Sequence, residues 1–180
     1  MAENSPGTRS HQHEIEICSP VRTVWSALTD PKILTRWYVD EAEVEPREGG
    51  RYWVSWGAEG EGEARIDVWE PDRRLRLAHL PFKGSPPIPE GGAVIEDFTL
   101  EERGETTVLR LVYSGIPSAP EWDGFFKGTD SGWEDYFKFL RDMLEIGEEE
   151  EGEEEERPEP EPDRRSPGAG RRGRGEKPTD

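Results

Sequence analysis

His79 and Glu96 are the two side chains in this sequence best suited to moving a proton. Each continues a period-two apolar pattern: Leu75, Leu77 and His79 in one segment, and Val94, Glu96, Phe98 and Leu100 in another. Residues two apart in a strand share a face, so both groups are expected to point inward with their apolar neighbours. A carboxylate in an apolar cavity can act as general acid or base, and an adjacent imidazole can orient it. Tyr52 and Tyr113 share that inward parity and add two hydroxyls. The same four groups in a binding role would hydrogen-bond a ligand, and in a structural role they would satisfy one another. A single bulge in either strand would turn them to solvent.

A second spacing concerns metal ions. His11 and His13 lie two apart on one side of an extended segment, with Cys18 nearby. Two imidazoles so placed can hold a metal, but a stable site needs a third fixed ligand. The sequence offers none evident, so neither a metal nor a cofactor is expected.

Positioning these groups requires a scaffold. Residues 1–10 read as a loose N-terminal arm. His13 to Ile17 alternates polar and apolar as a half-buried strand does. Ser19-Pro20 opens a helix with Val21, Val24, Trp25 and Leu28 on one side, and Asp30-Pro31 begins a shorter one. From Ala42 to Tyr113 the period is two. Tyr52, Val54 and Trp56 share a face, as do Ala64, Ile66 and Val68, and Thr107, Leu109, Leu111 and Tyr113. Short turns separate these runs, which predicts an antiparallel meander. Pro81 to Gly92 is rich in proline and glycine and reads as a loop.

A final helix is expected from about Ser131 to Gly147, with an earlier start near Glu121 also open. Trp133, Phe137, Leu140 and Leu144 form its apolar stripe. A meander of about six to seven strands must curl, because strands twist. A straight helix cannot touch a strongly curved sheet along its whole length, so an apolar cavity is expected between them. Its lining is read as Tyr52, Val54, Trp56, Ala64, Ile66, Leu77, His79, Glu96, Phe98, Leu109, Leu111, Tyr113, Trp133, Phe137 and Leu140. Phe82, Trp122, Phe125 and Phe126 are placed at its mouth. The fold class is α+β, with the domain spanning 11–147.

Composition narrows the partners. The net charge is −18. The segment 148–180 holds 13 acids and 7 bases with almost nothing apolar, so it reads as a disordered charged tail. The remainder is acidic too, which argues against nucleic acid and anionic membranes. One cysteine permits no internal disulfide and fits a reducing cytoplasm. Residues 1–10 lack the apolar core of a signal peptide, and no run approaches the roughly 20 apolar residues of a membrane span.

The stretch IEICSPVRTVWSALTDPKILTRWYVDEAEVEPREGGRYWVSW resembles the N-terminal half of the SRPBCC superfamily. The branch it most resembles contains the C-terminal part of the Hsp90 ATPase activator Aha1. Ser19-Pro20 through Val24-Trp25 carries this resemblance, with Ala27 to Pro31, Arg36-Trp37 and Gly49-Gly50-Arg51. Glu70-Pro71, Arg73-Arg74-Leu75, Tyr113-Ser114-Gly115 and Gly132-Trp133 extend it to about residues 11–146. It implies a helix-grip fold of the START-like or Bet v 1-like kind.

Relatives of that fold include small-molecule binders, polyketide cyclases and co-chaperone domains, and they share no catalytic motif. Tyr113 stands where this branch is expected to carry a histidine. The leading expectation is a domain binding a small hydrophobic molecule, as a monomer or weak dimer. A cyclase- or dehydratase-type enzyme using His79 and Glu96 is the alternative. An Hsp90-type chaperone partner is a third reading, and it is expected to need a further N-terminal domain for which residues 1–10 leave no room.

Overall fold

The structure is a computed structural model and describes residues 7–154, with side chains described to residue 147. The arm expected at the N-terminus and the charged tail lie outside the described residues over 1–6 and 155–180.

The chain begins with strand β1 (Thr8–Ile17), helices α1 (Val21–Thr29) and α2 (Pro31–Trp37), and strands β2 (Glu41–Val44) and β3 (Arg51–Ser55). Strands β4 (Glu61–Glu70), β5 (Arg74–His79), β6 (Ile95–Arg103) and β7 (Thr106–Pro117) follow, and helix α3 (Asp123–Glu154) closes the fold. The seven strands form one antiparallel sheet in the order β1-β7-β6-β5-β4-β3-β2. Strands β2 to β7 are thus a continuous meander, and β1 returns to pair with β7 at one edge. This is the α+β helix-grip architecture that the alternation and the final apolar stripe predict.

Burial follows the alternation. Tyr52 and Val54, Ala64 and Ile66, Leu75 and Leu77, and Leu109 and Leu111 are buried, facing the helices. On the other face, cross-strand ion pairs occupy the intervening positions. Arg51 bridges Glu43 and Glu63 at 2.7 and 3.0 Å, and Arg74 meets Asp97 at 2.7 Å. The first helix closes one end of the core with Val24, Trp25 and Leu28. In the second, Asp30 accepts from the Lys32 amide at 2.9 Å and so caps the start. The Trp37 indole donates to the Ala27 carbonyl at 3.0 Å and ties the two short helices together.

The structure departs from the sequence expectations at three places. Strand β1 begins at Thr8, because residues 8 and 9 find partners on β7: Thr8 pairs with Pro117 and Arg9 with Ile116. Val68 does not share the inward face of Ala64 and Ile66. A register shift lies between Ile66 and Val68, and beyond it Trp69 turns inward to meet Trp25 with ring centroids 5.1 Å apart. Helix α3 begins at Asp123 rather than Ser131 and runs through Gly147 to Glu154. Ser131 therefore lies inside the helix, where its hydroxyl donates to the Lys127 carbonyl at 3.0 Å. The glutamates after Gly147 are good helix formers and carry the helix past it. Among the described residues, no helix is long and apolar enough to cross a membrane.

Candidate functional site

One end of the sheet separates from the helix. Registers place Tyr52 opposite Ala64, Ala64 opposite His79, Leu77 opposite Glu96, and Glu96 opposite Tyr113. These residues form a band across five strands at the end facing the N-terminal half of α3. There the helix presents Phe125, Gly128, Thr129, Gly132, Trp133 and Tyr136. Two glycines four residues apart remove side-chain volume from the face turned to the sheet. A β-carbon added at Gly132 would meet only Tyr136, at 3.7 Å. The result is a cavity of about 240 Å³, just below the roughly 300–1,000 Å³ typical of drug-sized ligand pockets.

Of the residues expected to line the cavity, Tyr52, Val54, Trp56, Ala64, Leu77, His79, Glu96, Tyr113 and Trp133 do so. Ile66, Phe98, Leu109, Leu111, Phe137 and Leu140 are instead in the packed core at the other end. They share the inward parity, but there the helix sits directly on the sheet and no gap remains. At the mouth, Phe82 and Phe125 line the cavity with rings 6.1 Å apart. Trp122 is 2% exposed and supports Phe125 from behind, with ring centroids 5.2 Å apart. Phe126 turns away to pack on His11, at 5.4 Å, and under Arg9.

Sequence reasoning missed Tyr38, Tyr136, Gly62, Thr129 and the two helix glycines, with Glu61 and Glu63 at the rim. The signal was present in Gly128, Gly132 and Tyr136, spaced four apart on one helical face.

The polar content is concentrated in one cluster. His79 Nε2 is 3.2 Å from Glu96 Oε1 and 3.3 Å from the Tyr113 hydroxyl. The rings of His79 and Tyr113 stack with centroids 5.6 Å apart. Glu96 is 5% exposed, so its carboxyl group is held in the interior beside the His79 ring. A buried carboxyl group thus has an imidazole from the neighbouring strand within hydrogen-bond reach.

All four tyrosines of the chain line this cavity. Burial, and then the nearby Glu96 charge, push the Tyr38, Tyr52 and Tyr113 phenols well above their ordinary value. They remain neutral, hydrogen-bonding phenols at neutral pH. The Tyr52 hydroxyl is already committed to the Leu28 carbonyl at 2.9 Å.

The geometry can be set beside known proteins. The family model for activator of Hsp90 ATPase homolog 1-like proteins matches residues 19–145. The chain belongs to that family. No curated protein matches it. Among solved structures, protein MLL2253 from Mesorhizobium loti is 26% identical, with a TM-score of 0.66 over 77% of this chain and 98% of that one. DynU16, described as from the dynemicin biosynthetic locus, is 25% identical, with a TM-score of 0.64 over 77% of this chain and 48% of that one. The Aha1 dimer from Colwellia psychrerythraea is 20% identical, with a TM-score of 0.65 over 77% and 98%, a likeness of fold alone. In this Hsp90-activator-like chain the matched segment contains every residue that lines the cavity.

The histidine pair of β1 lies beside this cavity. Cys18 is exposed and does not join it. Asp130 of α3 does, with Thr129 between the pair and the cavity.

Proposed function

We propose that the cavity binds a compact, largely flat hydrophobic molecule carrying one hydroxyl or N–H donor. The observation that carries this reading is Glu96, the one buried carboxyl group among the described residues, set among four tyrosines and two tryptophans in a largely apolar space. Aromatic walls favour a flat apolar body. Glu96 has the His79 ring at 3.2 Å and, with two acceptor oxygens, has lone pairs left for a ligand donor. A volume of about 240 Å³ restricts the occupant to a compact molecule. The likeness to DynU16, from a biosynthetic locus, supports a role in small-molecule chemistry. The reading takes the protein as a monomer or weak dimer in the cytoplasm.

Native mass spectrometry of the protein purified from its own host tests this. A retained small molecule of compact size is the expected result. Uniformly unliganded protein, from cells in which the chain is abundant, counts against it. The Glu96→Gln variant sharpens the assignment. It keeps the shape and removes the charge, and charged hydrogen bonds exceed neutral ones by about 1–1.5 kcal/mol. Binding of a phenol such as 2-naphthol therefore weakens about tenfold. Equal affinity of the two proteins removes Glu96 from the site.

A second reading rests on the 3.2 Å contact between His79 and Glu96. An imidazole and a carboxylate within hydrogen-bond reach inside a ligand cavity form an acid–base pair. Under that reading a bound molecule leaves the wild type chemically changed and leaves His79→Gln unchanged, a difference that mass spectrometry reads directly.

A further inference from the structure

A cluster distinct from the Glu96 site joins the edge strand β1 to the helix α3. His11 and His13 are two apart on the strand, so both rings project from one face. Asp130 reaches them from the helix. His11 Nδ1 lies 3.0 Å from His13 Nε2, His13 Nε2 lies 3.3 Å from Asp130 Oδ1, and His11 Nδ1 lies 3.7 Å from the same oxygen. We propose that these three side chains form a binding site for a divalent first-row transition ion, Zn²⁺ foremost, with two nitrogen ligands and one oxygen.

The triangle fits such an ion. A point equidistant from atoms with these three separations lies about 2.0 Å from each, and Zn–N and Zn–O bonds run about 2.0–2.2 Å. At bonds of about 2.1 Å the same separations subtend angles of about 90–125°, which bracket the tetrahedral angle. An ion seated there displaces little and draws three atoms already in place.

The protonation of the cluster is arranged for this. The Thr129 hydroxyl donates to the Phe125 carbonyl at 2.9 Å, so its oxygen is free to accept. It accepts from His11 Nε2 at 3.0 Å. With the His11 proton on Nε2 in this bond, the Nδ1 lone pair faces His13 and Asp130. Metal-bound imidazoles are held in this manner, with the second nitrogen donating to an oxygen.

The donor set also selects the class of ion. Two imidazoles suit Zn²⁺, Co²⁺ or Fe²⁺, whereas Mg²⁺ and Ca²⁺ prefer all-oxygen sites. Asp130 is half exposed, with 49% of its side chain accessible, so the ion has a path from solvent and room for a bound water. Among the described residues this is the one group of three such ligands whose atoms lie within 4.8 Å of one another. The ion would tie the long helix to the strand that closes the sheet, with Thr129 linking it to the cavity wall.

The test is Co²⁺ titration of the full chain after chelator treatment, followed in the visible region and then by displacement with Zn²⁺. The expected result is one equivalent of Co²⁺ giving the intense bands of a four-coordinate ion, which Zn²⁺ abolishes. His13→Gln and Asp130→Asn each remove a ligand from a partly exposed position and lose the bands while keeping the circular dichroism of the fold. Thr129→Val frees the His11 tautomer and weakens Co²⁺ binding about 10–100-fold. Absence of the bands in the wild type overturns the proposal. So does binding that persists unchanged in His13→Gln and Asp130→Asn, because the ion is then held elsewhere, such as by the glutamate run.

Discussion

Replacing Gly115 by alanine is expected to destabilise the protein by about 3 kcal/mol or more, a cost reserved for backbone strain and severe overlap. Gly115 has φ of +75°, where an L-residue carries a penalty of about 1–2 kcal/mol. The larger effect is steric. A β-carbon there would lie 1.8 Å from the Ala93 carbonyl oxygen and 2.9 Å from its carbon. Backbone must move, and it cannot move alone. Val94 is 1% exposed, and its carbonyl accepts from the His79 amide at 2.9 Å. The next two residues, Ile95 and Glu96, pair with Ser114 and Tyr113. Strain at Gly115 therefore reaches His79 and Glu96 together. Urea unfolding should show the midpoint falling sharply. Gly104→Ala is the control, since Gly104 has φ of +63° and nothing within 4 Å. It should cost only the conformational penalty of about 1–2 kcal/mol. Equal losses at the two positions contradict the packing described for Gly115.

The second large effect is at Trp133, where substitution by alanine is expected to cost about 3–5 kcal/mol. Trp133 is 4% exposed and stands where core and cavity meet. Its ring lies 5.0 Å from Tyr38, 5.4 Å from Phe98, 5.6 Å from Tyr136 and 5.7 Å from Phe137. Removing it opens a void that joins the existing cavity and strips edge-to-face partners from three of these rings. Trp133→Phe keeps an aromatic ring and should cost markedly less. The stability difference between the two variants, measured by urea unfolding, reads this. If Trp133→Ala is as stable as the wild type, the ring is not the hinge between the packed and open ends of the domain.

These two positions also show what the sequence made legible. Trp133 announced itself through the stripe it shares with Phe137 and Leu140, because helical periodicity reports which face is buried. Alternation likewise placed His79, Glu96 and Tyr113 on the inner face, although they are far apart in the chain. Periodicity reports a face but not a depth along it. Ile66, Phe98 and Leu111 share the parity of the cavity residues and differ only in lying at the end where α3 meets the sheet.

Bulges were invisible for the same reason. The extra residue between Ile66 and Val68 flips the parity and brings Trp69 inward without any mark in the alternation itself. Ser131 and Glu134 form a convincing capping pattern and so favour a late start of α3, whereas the helix begins at Asp123, close to the earlier start near Glu121, directly after the turn that ends in the buried Trp122. The partner of His11 and His13 was hidden because Asp130 reaches them only through the packing of helix on edge strand.

The central claim is that the space between α3 and the open end of the sheet is a ligand site rather than a packing defect. Gly132→Leu fills that space from the helix, since a side chain there meets only Tyr136 at the distance of ordinary contact. Titration of 2-naphthol into the wild type and into Gly132→Leu, followed by calorimetry, tests the claim directly. The predicted result is saturable one-to-one binding to the wild type and its loss in Gly132→Leu, with the variant still folded. Saturable binding of equal affinity to both proteins, or none to the wild type, would contradict it.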